Sequence, residues 1–212
     1  MKTSVLSLAA LLCLATTHAM AATTDLTVTG TITPTACTPT LSNGGQVDYG
    51  VVSLANLGET GNYYLLPAKN LSFAIECSAP TSIAVIASDN RRDSAPSELK
   101  RFGLGMHEDQ QLGNFFIRWI NGGTLVDGET GYHLDSLDGG TSWIPASTLI
   151  LSDFGKEPGF RASFANQPSP SAPSAVTSVS INLEVNGFLN KSLTLTDNAQ
   201  LDGSATLEVV YL

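Results

Sequence analysis

The sequence predicts an all-β chain folded as a β-sandwich. Three observations carry the prediction. The 212 residues include 19 glycines and 10 prolines among many serines and threonines, which suits short strands and tight turns. Apolar residues recur at every second position in several segments, the period of a strand with one buried face. Helical patterning is weak throughout. With 42% hydrophobic and 14% charged residues the composition is that of a globular protein, and the length fits one domain. A formal net charge of −9 argues against a nucleic-acid partner, because phosphate binding rests on basic clusters. Arg91-Arg92 and Lys100-Arg101 come nearest, and Asp89, Asp93 and Glu98 are interleaved with them.

Residues 1–21 read as an export signal. Lys2 supplies the positive n-region, residues 5–15 the apolar h-region, and Ala19-Met20-Ala21 the small-x-small cleavage site. The apolar run is shorter than the roughly 20 residues a membrane span needs. Residues 22–212 are expected to remain as one exported domain. Cys13 leaves with the signal. Cys37 and Cys77 stay, and two cysteines in an exported chain most simply form one disulfide. Loop-closure entropy makes such a bond worth about 4 kcal/mol. His107 and His133 are isolated, so neither a metal site nor a cofactor is expected.

Along the remaining chain, Leu26-Thr27-Val28-Thr29-Gly30-Thr31-Ile32-Thr33 alternates and ends at Pro34, an extended segment with one apolar face. Asn43-Gly44-Gly45 is a turn signal, and residues 47–52 follow as a short strand. Leu71, Phe73, Ile75 and Cys77 share one side of a strand that Pro80 should end, and 83–87 should be the next. Residues 88–101 read as a polar loop. Phe115, Phe116, Ile117, Trp119 and Ile120 mark a buried strand at 114–120. Gly122-Gly123 and Gly139-Gly140 bracket a possible hairpin around Tyr132-His133-Leu134. Further strands are expected within 143–151 and at 160–164. Pro168, Pro170 and Pro173 make 166–174 an extended surface loop. Val179, Ile181, Leu183 and Val185 share a face in 176–185, and 189–195 could pair with them. Ala205, Leu207, Val209 and Tyr211 share a face in the last segment, which ends at Leu212.

An enzyme is not expected. His107 lies in His107-Glu108-Asp109 and His133 two positions before Asp135, but neither comes with a nucleophile and an orienting partner. There is no Gly-x-Ser-x-Gly and no His-Glu-x-x-His. Asp135-Ser136-Leu137-Asp138-Gly139 lacks the spacing and the bidentate glutamate of a calcium loop, and reads as a solvated turn. Phe115, Phe116 and Trp119 could line a ligand groove, although core is the default for such residues.

The functional signal lies at the two ends. A final strand apolar on one face sits naturally at a sheet edge. An open edge is either a pairing hazard or an assembly device. Val28-Thr29-Gly30-Thr31-Ile32 before Cys37, Val47-Asp48-Tyr49-Gly50, Cys77 closing the pair, and Gly203-Ser204-Ala205-Thr206-Leu207-Glu208-Val209-Val210-Tyr211-Leu212 together resemble a chaperone–usher fimbrial subunit. The run Ile32-Thr33-Pro34-Thr35-Ala36-Cys37-Thr38-Pro39 is most similar to the beta-fimbrial major-subunit-like proteins. The resemblance covers about residues 22–77 and 176–212.

It implies an incomplete immunoglobulin-like sandwich, the pilin fold, that lacks its final strand. A periplasmic chaperone would lend that strand, and another fimbrial subunit would replace it at an outer-membrane usher. Carried over, the donor face is Leu26, Val28, Gly30 and Ile32, with 26–33 either that donor or the chain's own first strand. The chaperone would pair with Ala205, Leu207, Val209 and Tyr211 and grip the carboxylate of Leu212. The implied role is a fimbrial structural subunit in cell-surface adhesion, exported through the periplasm. The alternative is a secreted, complete β-sandwich that binds a glycan or host surface. A periplasmic hydrolase is a distant third.

Overall fold

Seven strands of five or more residues make up the fold. They are β1 (Cys37–Leu41), β2 (Lys69–Asp89), β3 (Gly113–Val126), β4 (Tyr132–Ser136), β5 (Arg161–Ala165), β6 (Ala175–Asn190) and β7 (Ala205–Tyr211). The structure is a computed structural model that describes residues 27–30, 36–97, 99–146 and 149–212. Among the described residues the helical content is three short 3-10 turns. The chain is all-β, as its composition and alternation predict. Residues 34–212 form one compact unit, and residues 1–33 are a separate one. The expected signal at 1–21 lies outside the described residues.

β2 organises the architecture, because it belongs to two sheets. Its first half pairs antiparallel with β1, Cys37 opposite Cys77 and Leu41 opposite Phe73. On its other side lies β6, with Leu183 opposite Leu71, and β3 flanks β6. The second half of β2 pairs with β7 on one side and β5 on the other, and β4 continues beyond β5. The burial pattern follows this change. It alternates around Phe73 and Ile75, whereas 83–87 are buried at five successive positions because both faces are covered.

Pro80 does not end this strand, contrary to the sequence reading. Between Val176 and Ser178 of β6 the register on β2 jumps from Thr81 to Glu76, so residues 77–80 have no partner in β6. Proline has no N–H to give, and at such a bulge no ladder hydrogen bond is required of it. The bulge also lets one strand bend from one sheet into the other.

The core lies between the two sheets. Phe73, Trp119, Phe164, Ile75, Ile181 and Leu183 are almost wholly buried. Phe73 stacks on Trp119 with centroids 6.3 Å apart, and Phe164 meets Trp119 edge-on at 5.9 Å. The predicted disulfide joins Cys37 to Cys77.

Several expected elements differ. Residues 46–52 form no strand, although Val47, Tyr49 and Val52 are half-buried. Among the described residues of 143–151, Ile144–Pro145 and Ile150–Leu151 pair. Leu189 completes β6 rather than opening a new strand, and 191–204 are irregular. Gly122-Gly123 lie inside β3, where its register on β6 shifts. The tight turn comes instead at Asp127-Gly128, with φ of 49° and 84°, the left-handed pair of a two-residue hairpin. Asp127 Oδ1 accepts hydrogen bonds from the Thr177 and Ser178 amides, both at 2.8 Å, and so pins this turn to β6.

Candidate functional site: an opening between two strand edges

β1 and β7 lie along β2 in different sheets, and among the described residues each pairs with β2 alone. Between them is a cavity of about 570 Å³ that opens onto the core. Leu71, Phe115, Ile117, Leu183 and Val185 form its floor. Leu41, Val47 and Tyr49 line one wall, and Gly203, Ala205 and Leu207 the other.

Local sequence explains both walls. After β1, Asn43, Gly44 and Gly45 take φ of 52°, 60° and 78° and turn the chain back alongside the opening. Residues 46–52 then run without a strand partner among the described residues, and Asp48 Oδ1 accepts the Gly50 amide at 2.7 Å. On the other wall, a Cβ on Gly203 would stand 3.0 Å from the Phe115 ring and 3.1 Å from Leu104, so glycine lets the backbone pass close to the floor. Arg91 holds the approach to β7 by donating to both oxygens of Asp202, at 2.7 and 2.9 Å. Asn90 Nδ2 donates to Ser204 and Thr206 hydroxyls. Burial pushes the Tyr49 phenol up to about 12, so the phenol is neutral at ordinary pH.

The opposite end of the opening is shut. There the Cys37 amide donates to Tyr211 Oη at 2.9 Å, and the Leu212 amide to Ser82 O at 3.1 Å.

Comparison with known proteins bears on this architecture. Residues 26–114 match a family model described as "Protein of unknown function (DUF1120)". The chain is also 30% identical, over 227 aligned positions, to protein GltF of Escherichia coli (strain K12), with 89% of this chain and 88% of GltF covered. The chain belongs to the family of protein GltF. It is similar as well to the uncharacterized protein YhcF of the same organism, 26% identical over 210 positions that cover 86% of this chain and 87% of YhcF. The family model spans β1, the disulfide and all of β2, the strand both edges of the opening rest on.

In this member of the GltF family the residues singled out from sequence are scattered. Ala205, Leu207 and Val209 pack on the core from β7, whereas Tyr211 and Leu212 are exposed. Of the expected donor face, Leu26 and Ile32 lie outside the described residues. Val28 is 87% exposed, and among the described residues nothing lies within 4 Å of where a Cβ on Gly30 would stand.

The two histidines lie in different settings. His107 is 3.1 Å from Asp197 Oδ1. His133 Nε2 and Thr124 Oγ1 hydrogen-bond at 2.7 Å, with the ring stacked on Trp119, and burial lowers its pKa to about 4. Asp135 lines a second cavity of about 490 Å³, where burial first and the charge of Glu157 second raise it to about 6. Asp138 accepts from the Ser142 hydroxyl and amide and the Ser136 hydroxyl, which hold it near 2 and occupy it within its own turn. Phe115 does reach a groove, as its floor. Trp119 is core, and Phe116 sits under the Arg101 guanidinium at 5.4 Å. The resemblance at the two ends implied a missing strand, but which residues floor the opening escaped the sequence reading, because they come from β2, β3 and β6, which are far apart in the chain. The one available signal was the pair of half-matched ends.

Proposed function

We propose that this chain is a structural subunit of a surface fimbria, assembled by taking a strand from a neighbouring subunit. One observation carries the reading: the cavity between β1 and β7 opens on the core between two edges that, among the described residues, are each paired on one side only. An extended segment with alternating apolar residues fits such a place. It pairs its backbone with a free edge and drops every second side chain onto the floor. Each buried side chain is worth roughly 1.5–3 kcal/mol, so two or three give about 3–9 kcal/mol. Whole domains are stable by only about 5–15 kcal/mol, so occupancy changes stability substantially.

The occupant is the segment carrying Leu26, Val28, Gly30 and Ile32 of a neighbouring subunit. Before that exchange a periplasmic chaperone holds β7, and an outer-membrane usher receives the complex. The subunit then serves adhesion as part of a cell-surface polymer and performs no catalysis. The rival reading, a glycan-binding module using the central aromatic segment, has less support, since Trp119 is 1% exposed and Phe116 is covered by Arg101.

The test is a peptide copying residues 24–33 added to the purified chain. A rise in melting temperature, together with self-association of the untreated chain, supports the proposal. A stable monomer indifferent to the peptide overturns it.

A further inference from the structure

We infer that Tyr211 is a register stop: its hydrogen bond to Cys37 closes one end of the opening and confines an inserted strand to the stretch from Gly203 to Leu207. The inference rests on the strand-insertion reading above and adds where the insertion must end.

The two edges converge along β2. Tyr211 lies opposite Ile83 and Cys37 opposite Cys77. Around this point both edges are tied down. The Ser78 amide donates to Ala36 O at 2.9 Å, the Leu212 amide to Ser82 O, and the Cys37 amide to Tyr211 Oη at 2.9 Å. The Cys37–Cys77 disulfide fixes the anchor of the last bond covalently. The opening accordingly touches Gly203, Ser204, Ala205 and Leu207 of the β7 wall, and neither Val209 nor Tyr211 lines it.

Length sharpens the point. At about 3.3 Å per residue, the stretch from position 203 to 207 receives an extended segment of about five residues, with two or three side chains facing the floor. The ten residues 24–33 span about 33 Å when extended. About half of that segment must lie outside the opening unless the Tyr211–Cys37 bond gives way. Tyr211 is 53% exposed, so the stop depends on this hydrogen bond rather than on burial of the ring.

The experiment titrates the full chain and its Tyr211→Phe variant with the 24–33 peptide and with versions shortened by two or four residues from either end. The expected result on the wild type is that trimming one end leaves affinity within about twofold, because those residues never enter. Tyr211→Phe opens the closed end, and the longest peptide then gains about five- to tenfold over the trimmed one, the effect of one or two added backbone hydrogen bonds. In the wild-type complex the nuclear Overhauser contact between the Tyr211 ring and the Cys37 amide proton persists, a reading that does not depend on the variant folding. Loss of that contact on binding overturns the inference. So does a wild-type affinity that depends on length just as the variant's does, and both leave strand insertion standing. A wild type that binds none of the peptides overturns the insertion reading and this inference with it.

Discussion

Asp153, wholly buried, accepts both arms of the Arg92 guanidinium, with Nε 2.9 Å from Oδ2 and Nη2 3.0 Å from Oδ1. Its Oδ1 also accepts the Asp89 and Gly155 amides. One carboxylate thereby ties the end of β2 to the turn after residue 152, while Lys156 Nζ donates to the carbonyls of Pro96 and Leu99. Burial alone would push Asp153 up. The Arg92 and amide hydrogen bonds outweigh it and hold the carboxyl below the usual range.

Arg92→Ala leaves that buried carboxylate without its cation. Breaking a buried pair costs about 3–5 kcal/mol. Arg92 is itself part-exposed, which brings the expected loss to about 2–3 kcal/mol. Urea unfolding at pH 7 measures it, and a midpoint within error of the wild type contradicts the role given to this pair.

Stability should carry opposing pH slopes from two neighbours on β4. His133 has its folded pKa lowered from 6.5 to about 4, so the unfolded chain binds the proton more readily and stability falls as pH drops through that window. Asp135 is raised from 3.8 to about 6, so the folded chain binds the proton more readily, and its contribution is lost as pH rises through the same region. Asp135→Asn removes the second slope. Allowing for its partial exposure, the variant should be about 1–2 kcal/mol more stable than the wild type at pH 7 and equal to it at pH 3.5. Thermal unfolding from pH 3.5 to 8 gives the comparison. A variant no more stable at pH 7 refutes it.

Reduction of Cys37–Cys77 should cost about 4 kcal/mol, as for any closed loop of about 40 residues. β1 pairs with one strand among the described residues, so it should be the first element to fray. Amide exchange across 37–41 with and without reductant reads this directly. Uniform loss of protection across the sandwich would contradict it.

Leu207→Arg sets a charged head at the opening from a half-buried position, so the sandwich should still fold. The expected outcome is that the 24–33 peptide no longer raises the melting temperature. The control Leu195→Arg changes a residue that does not line the opening and should leave the peptide effect intact. Equal peptide effects in both variants would remove the opening from the assembly proposal.

Local chemistry made much of the fold legible. Alternation over 71–77, 176–185 and 205–211 sets which side chains face inward, and strand geometry makes that a property of neighbouring residues alone. Cys37 and Cys77 were left as a pair by simple count, and the Asp138 turn could be read from its own short-range hydrogen-bonding residues. What tertiary structure decided was everything that needs partners distant in the chain. Pro80 lies inside a strand because a bulge against β6 asks no hydrogen bond of it, which 78–82 alone do not reveal. Residues 47–50 alternate as a strand does, yet among the described residues they pair with no strand. The opening between β1 and β7 exists because β2 bends between sheets and carries one edge in each. A sequence states which faces are apolar, but only packing determines which apolar face is left without a neighbour.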